Sequence, residues 1–281
     1  MNINNTTINN IHNHWNTAIN RPGRPGSGNW YDRRPDRVNY WNNWGGDVRR
    51  HWNYGHWHND WFHDDWFHNH WNNWNGWHYY GYGVRPWYYW WSVPAWTSFN
   101  NWFTWGNTWS QPIYYDYGQG GNVVYQDNSV YVGGEQVGTA AEFAQSAAAL
   151  ATVAPPEDQS QLEQAEWMPL GTFALSTDKR EVEPSRILQL AVNRDGIISG
   201  TLLNTLTDQS QIIQGQVDKE TQRAAFRIGE NEEVVAETGL YNLTQEESPL
   251  LVHYGTERTE TFLLVRLEAP KGGDSEDNAA P

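Results

Sequence analysis

Cysteine is absent from the 281 residues, which removes disulfides, thiolate nucleophiles and every Cys-based zinc or iron-sulfur site. That absence is compatible with either redox compartment. Basic residues are scarce: 18 Lys and Arg stand against 33 Asp and Glu, for a net charge of -15. Nucleic acid and anionic membranes are recognised through clustered Lys and Arg, so neither is an expected partner. No run of about 20 apolar residues occurs, so no segment reads as a transmembrane helix. The first twenty residues also lack the charged start and the roughly 7 to 15 apolar residues of a secretory signal. Because the chain starts inside an Asn tract (Asn2, Asn4, Asn5, Asn9, Asn10, Asn13), a missing upstream segment is expected. No phosphate loop, dinucleotide fingerprint or paired-His metalloprotease motif is found.

What is present divides into two materials. Eighteen of the 19 Trp precede residue 110, and Trp167 is the remaining one. The charge divides as well, with 8 Lys/Arg against 10 Asp/Glu over residues 1 to 154 and 10 against 23 beyond. Residues 1–38 are Asn/Pro/Gly-rich and read as disordered, since such composition cannot offset its ordering entropy. Residues 39–110 form a Trp/His/Asn-rich aromatic segment, largely irregular or partly helical. Within it a period-five repeat runs through His58-Asn59-Asp60-Trp61-Phe62 and His63-Asp64-Asp65-Trp66-Phe67. Five residues advance about 140° around a helix, so the repeat makes no continuous face. A helix from Asp47 to Trp71 with aromatics spread around it is the preferred reading over disorder. Residues 76 to 92 read as an aromatic loop. Pro94, with Trp96, Phe99, Trp102 and Phe103 at helical spacing and Gly106 as a stop, marks a short amphipathic helix. Trp and Tyr favour membrane interfaces, so peripheral membrane contact stays open.

Residues 111–154 carry a hairpin, Val123-Val124-Tyr125 and Val130-Tyr131-Val132 around the turn Gln126 to Ser129, then a capped helix. Thr139 and Glu142 have the capping-box spacing, and the helix should run from Ala140 to about Val153. Residues 155–164 are an acidic linker. Residues 165–268 are all-β, with strands expected at Met168 to Ser176, Arg186 to Asn193, Gly196 to Thr205, Gln211 to Asp218, Gln222 to Ile228, Glu233 to Leu240, Leu250 to Tyr254 and Thr261 to Leu267. Leu188, Leu190 and Val192 share one strand face, and Ala224, Phe226 and Ile228 lie opposite Arg223, Ala225 and Arg227. The fold class is therefore mainly β. An eight-stranded antiparallel up-and-down meander closes as a small barrel, or alternatively packs as a sandwich. Residues 269–281 are an acidic disordered tail.

Four constellations bear on chemistry. His56, Asp60, His63, Asp64 and His68 fall on one side of a helix and offer nitrogen and oxygen ligands to a divalent metal such as zinc. Their spacing matches no established zinc pattern, and a solvated polar tract accounts for it more simply, so no cofactor is otherwise expected. The Trp and Tyr density suits either flat sugar-binding platforms or aromatic packing, with packing preferred. Ser176-Thr177-Asp178-Lys179 has the Ser-x-x-Lys spacing of serine acyl-transfer enzymes, but it falls in a β-turn where those enzymes need a helical turn. His253 is a general-base candidate without an identifiable partner, and it reads better as a packed strand residue.

The blocks Tyr114-Tyr115-Asp116-Tyr117-Gly118, Val124-Tyr125-Gln126-Asp127-Asn128-Ser129-Val130-Tyr131 and Trp167-Met168-Pro169-Leu170-Gly171-Thr172-Phe173-Ala174-Leu175 carry a resemblance. It continues through Leu188-Gln189-Leu190-Ala191-Val192 and Gly196 to Leu202 to Leu263-Leu264-Val265-Arg266-Leu267-Glu268. Over residues 40 to 268 the chain resembles a bacterial family of uncharacterised proteins assigned to the cell surface, some labelled mu-protocadherin. The resemblance implies an extracytoplasmic or surface location and brings no activity or catalytic residues. At fold level, the eight-strand meander is similar to small ligand-binding barrels of the avidin and lipocalin type. The leading expectation is a non-enzymatic envelope-associated protein whose aromatic half attaches to envelope components or to other copies of itself. The alternative is a small-ligand or glycan binding module built on the barrel, which a cavity in that barrel would favour.

Overall fold

The computed structural model describes residues 11, 13–15, 17–18, 30–54, 87–105, 109, 111–154 and 165–269. Its helices include α1 (Trp30–Arg33), α2 (Pro35–Tyr54) and α3 (Ala140–Leu150), with short 3-10 turns at Trp87–Trp91, Trp96–Asn101 and Asn242–Thr244. A three-stranded sheet is built from β1 (Val123–Gln126), β2 (Ser129–Val132) and β3 (Glu135–Thr139). The eight later strands are β4 (Trp167–Ser176), β5 (Arg186–Asn193), β6 (Ile197–Asn204), β7 (Gln209–Val217), β8 (Arg223–Ile228), β9 (Val234–Gly239), β10 (Glu247–Tyr254) and β11 (Arg258–Arg266). They pair antiparallel in chain order, and β11 returns to β4 to close a barrel. The up-and-down barrel is therefore the fold, and the sandwich is not.

Alternation along each strand produces a wall with two apolar faces. Leu188, Leu190, Val192, Ala224 and Phe226 point inward with Phe173, Ile213 and Leu264. Gly215 sits opposite Phe226 in the ladder, and a side chain there would begin 2.5 Å from the Phe226 Cβ. Glycine at that point lets the ring occupy the lumen.

The outer face is covered twice. On α2, Trp41, Trp44, Val48 and Trp52 recur at helical spacing and lie on Ala174, Ile187, Ala191, Leu203, Leu263 and Val265. Their indole N-H groups are also bonded: Trp44 Nε1 donates to Ser176 Oγ at 2.8 Å, and Trp41 Nε1 donates to Asp116 Oδ1 at 2.9 Å. The second cover is α3 with the small sheet. The Thr139 and Glu142 capping box forms as expected, and Asp127 and Asn128 take the positive φ angles of a type I′ hairpin turn. Ala147, Ala148 and Ala151 then pack closely on Ala225 and Val235, while Phe143 and Trp15 join Tyr115 and Leu251.

Two expectations need correction. Residues 1–38 are not structureless where they are described: Ile11, Trp15 and Ala18 are helical and buried, and helical structure spans most of 30–54. Composition misled because each Trp brings about 150 to 250 Å² of apolar surface, enough to anchor an otherwise polar segment. The expected α-helix after Pro94 is a short 3-10 turn. Its N-cap, Ala95, supplies no side-chain bond, and Thr104 N donates to Arg194 O of the barrel at 2.8 Å, so the segment follows the barrel end instead of its own ladder. The aromatic segments are consequently part of the folded unit: Trp15, Trp41, Trp44, Trp52 and Trp90 are all buried within it. The period-five repeat, the linker over 155–164 and all but the first residue of the 269–281 tail lie outside the described residues.

Candidate functional site

The two ends of the barrel differ. At one end Phe99 and Phe103 enter the lumen core, and Trp105 stacks on Phe103 with ring centres 4.3 Å apart. This plug is pinned to the strand connections. Trp102 Nε1 donates to Asn193 O at 3.1 Å and Trp109 Nε1 to Lys219 O at 2.6 Å. Beside it, the buried Arg266 guanidinium donates to the carbonyls of Leu170 at 2.9 Å, Leu243 at 2.5 Å and Gln245 at 3.2 Å, and lies over Phe173. Desolvation by burial holds its pKa down to about 10.

At the other end the lumen opens into a cavity of about 710 Å³. Its floor is apolar: Leu175, Leu202, Ile228, Val234, Leu250, Val252 and Phe262. Its rim is polar: Thr177, Arg186, Asn204, Gln209, Gln211, Asn231, Tyr254 and Glu260. The sequence explains the opening. Inward positions are apolar through the middle of each strand and turn polar at the ends that meet here, as in Ile213, Gln211, Gln209 on β7 and Leu202, Asn204 on β6. Amides cannot close a dry core, so packing stops at that level. The lining reaches from Tyr254 down to Leu250, which at about 3.4 Å per residue and a strand tilt near 40° gives a depth of roughly 10 Å.

Charge at the rim is close-knit. Arg258 lies 3.3 Å from Glu260, with its guanidinium 4.0 Å above the Tyr254 ring. Burial raises the Tyr254 pKa and Glu260 adds to the rise, while Arg258 and Arg186 oppose it. A second recess of about 530 Å³ lies between α1 and the small sheet, walled by Trp30, Arg34, Gly120, Gly121 and Gly134. There the Arg34 guanidinium is already held by both oxygens of Asp36.

A buried ionic cluster lies on the outer wall. Arg223 on β8 donates to Glu237 on β9 at 2.5 Å and to Ser146 on α3 at 3.2 Å, and His253 on β10 lies 3.8 Å from Glu237. Trp15 covers Arg223 at 4.1 Å, and the His253 ring lies 5.6 Å from Phe143. Burial raises the Glu237 carboxyl, but Arg223 and then His253 outweigh it, so its pKa falls below the usual value. All three side chains are shut away from solvent, and the cluster ties β8, β9 and β10 to α3.

The expected site residues fare unequally. His56, Asp60, His63, Asp64 and His68 lie outside the described residues, and among the described residues no group of His, Asp and Glu could hold a metal. Ser176 ends β4 and bonds to Trp44 and to backbone carbonyls, while Lys179 rests on the Tyr40 ring at 3.3 Å, so the Ser-x-x-Lys pair makes no nucleophile. His253 is a packed strand residue as read, and its carboxylate neighbour is Glu237. Sequence missed Glu237 because it sits on an adjacent strand, and missed the mouth because closure alone brings Arg186, Gln211 and Glu260 together. No family model matches this chain, and no curated protein or solved structure matches it.

Proposed function

We propose that this chain is a non-enzymatic binding protein whose barrel takes a small amphiphilic ligand at its open end. One observation carries the reading: a lumen sealed by Phe99, Phe103 and Trp105 at one end opens at the other into about 710 Å³ with an apolar floor and a polar rim. Pockets that hold small molecules have this composition, with apolar walls for affinity and a few polar groups for orientation. The rim is rich in carboxamides, from Asn204, Gln209, Gln211 and Asn231. Carboxamides hold a ligand by hydrogen bonds and carry no titratable proton, which suits binding better than acid-base chemistry. The ligand occupies the mouth and leaves the plugged half of the lumen packed.

Titration with the fluorescent amphiphilic dye 1-anilinonaphthalene-8-sulfonate tests this, using Val234→Trp to fill the half-buried mouth position. Wild type should give saturable enhancement and Val234→Trp much less. Equal enhancement in both proteins places the dye elsewhere and refutes the reading.

The resemblance to bacterial surface proteins supports an extracytoplasmic setting, in which the barrel would meet ligands outside the cytoplasm. Fractionation with immunolabelling tests the location, and a wholly cytoplasmic signal rejects it.

A further inference from the structure

The barrel mouth presents two guanidinium groups in different surroundings. Arg258 is answered within the protein by Glu260 and the Tyr254 ring. Arg186 is not. It is the first residue of β5, two positions before the inward-facing Leu188, so it belongs to the lumen face of its strand at the rim. It is exposed, lines the cavity, and among the described residues pairs with no carboxylate. Its ladder partner is Asn204, whose Oδ1 is occupied by the Leu206 N-H at 3.1 Å. An uncompensated cation therefore stands at the edge of an apolar floor.

We propose that the ligand is a monocarboxylate with a short apolar body, its head on Arg186 and its body on Leu202, Leu250, Val252 and Phe262; this rests on reading the mouth as a binding site. A planar guanidinium offers a carboxylate two parallel N-H donors, a match that a hydroxyl cannot make and an ammonium would oppose. A dianionic head is disfavoured, because Glu260 shares the rim and the chain carries a net charge of -15. A long chain is excluded by depth: below roughly 10 Å the lumen is filled by Leu188, Ile213 and Phe226, all fully buried. The apolar body is thus a short acyl chain or a single ring system.

Calorimetric titration of the full chain with octanoate, 1-octanol and octylamine tests the proposal. Wild type should bind octanoate most tightly and octylamine least. Arg186→Gln should weaken octanoate roughly tenfold or more and leave 1-octanol unchanged. Glu260→Gln should tighten octanoate by removing a like charge and releasing Arg258. Arg180→Gln, whose guanidinium pairs with Asp178 on the exposed loop after β4, should change nothing. Equal affinity for octanoate and 1-octanol, or an Arg186→Gln protein that binds octanoate as wild type does, overturns the proposal while leaving the mouth a binding site. No saturable heat with any of the three overturns the mouth reading and the proposal with it.

Discussion

Arg223 and Glu237 meet at 2.5 Å on the outside of the barrel wall, both buried, with Trp15 of the N-terminal segment lying on the guanidinium. The contact joins three parts of the chain that are remote in sequence: the aromatic N-terminus, α3 through Ser146, and the barrel. Removing one member leaves the other charged and desolvated. Glu237→Gln should therefore destabilise by about 3 to 5 kcal/mol in urea unfolding, while the paired change Arg223→Met with Glu237→Leu should recover most of that loss. A Glu237→Gln protein within about 1 kcal/mol of wild type would mean that the pair is not desolvated in solution.

The same cluster contributes to the acid limb of stability. The folded pKa of Glu237 lies below its unfolded value of 4.5, so its contribution is complete above that pH and is lost as pH falls through the folded pKa. On the alkaline side burial raises the phenols of Tyr115, Tyr117 and Tyr125 above 10.0, so their contribution is complete below pH 10 and declines above it. Arg266, held down to about 10, acts in the opposite sense, but as one group against three. Thermal melting as a function of pH should show a plateau bounded by these limbs. An unchanged melting temperature from pH 10 to 12 would contradict the burial of the tyrosines.

The covering helix makes its own prediction. Trp44 is buried against the barrel and bonded to Ser176, so Trp44→Ala should cost about 3 to 5 kcal/mol and Trp44→Phe about 1. Limited proteolysis of wild type should spare residues 35–54 until the barrel unfolds. Early cleavage there would show that α2 is not docked.

The plug and the mouth are separable. Phe103→Ala removes a ring from the lumen core and should cost about 3 to 5 kcal/mol. It should also admit the amphiphilic dye at a second site without abolishing the first. Loss of the first site in Phe103→Ala would mean that the mouth depends on the plug for its shape.

Much of the barrel was readable along the chain because inward positions such as Leu188, Leu190 and Val192 repeat at a period of two between turn residues. The Thr139 and Glu142 cap is equally local, needing four residues to be recognised. Other features depend on neighbours that the chain alone does not reveal. Trp41, Trp44, Val48 and Trp52 keep helical spacing, but Gly45-Gly46 between them weakens the pattern. In the fold Gly45 has a physical purpose: a side chain there would begin 2.5 Å from the Glu247 carboxylate. β10 begins at Glu247 and not at Leu250, because Glu247-Ser248-Pro249 has the composition of a turn yet pairs with β11. The mouth was the least readable part, since Gln209, Gln211 and Asn204 look like ordinary strand ends until the strands close around them.

Methyl resonances offer the most direct test of the barrel as a one-ended binding site. Octanoate added to protein with labelled Leu and Val methyls should shift Leu202, Val234, Leu250 and Val252 at the mouth, in a saturable way, and leave Val192, Val217 and Leu240 beside the plug unmoved. Shifts centred on the plug residues, or none at the mouth at saturating octanoate, would contradict the account.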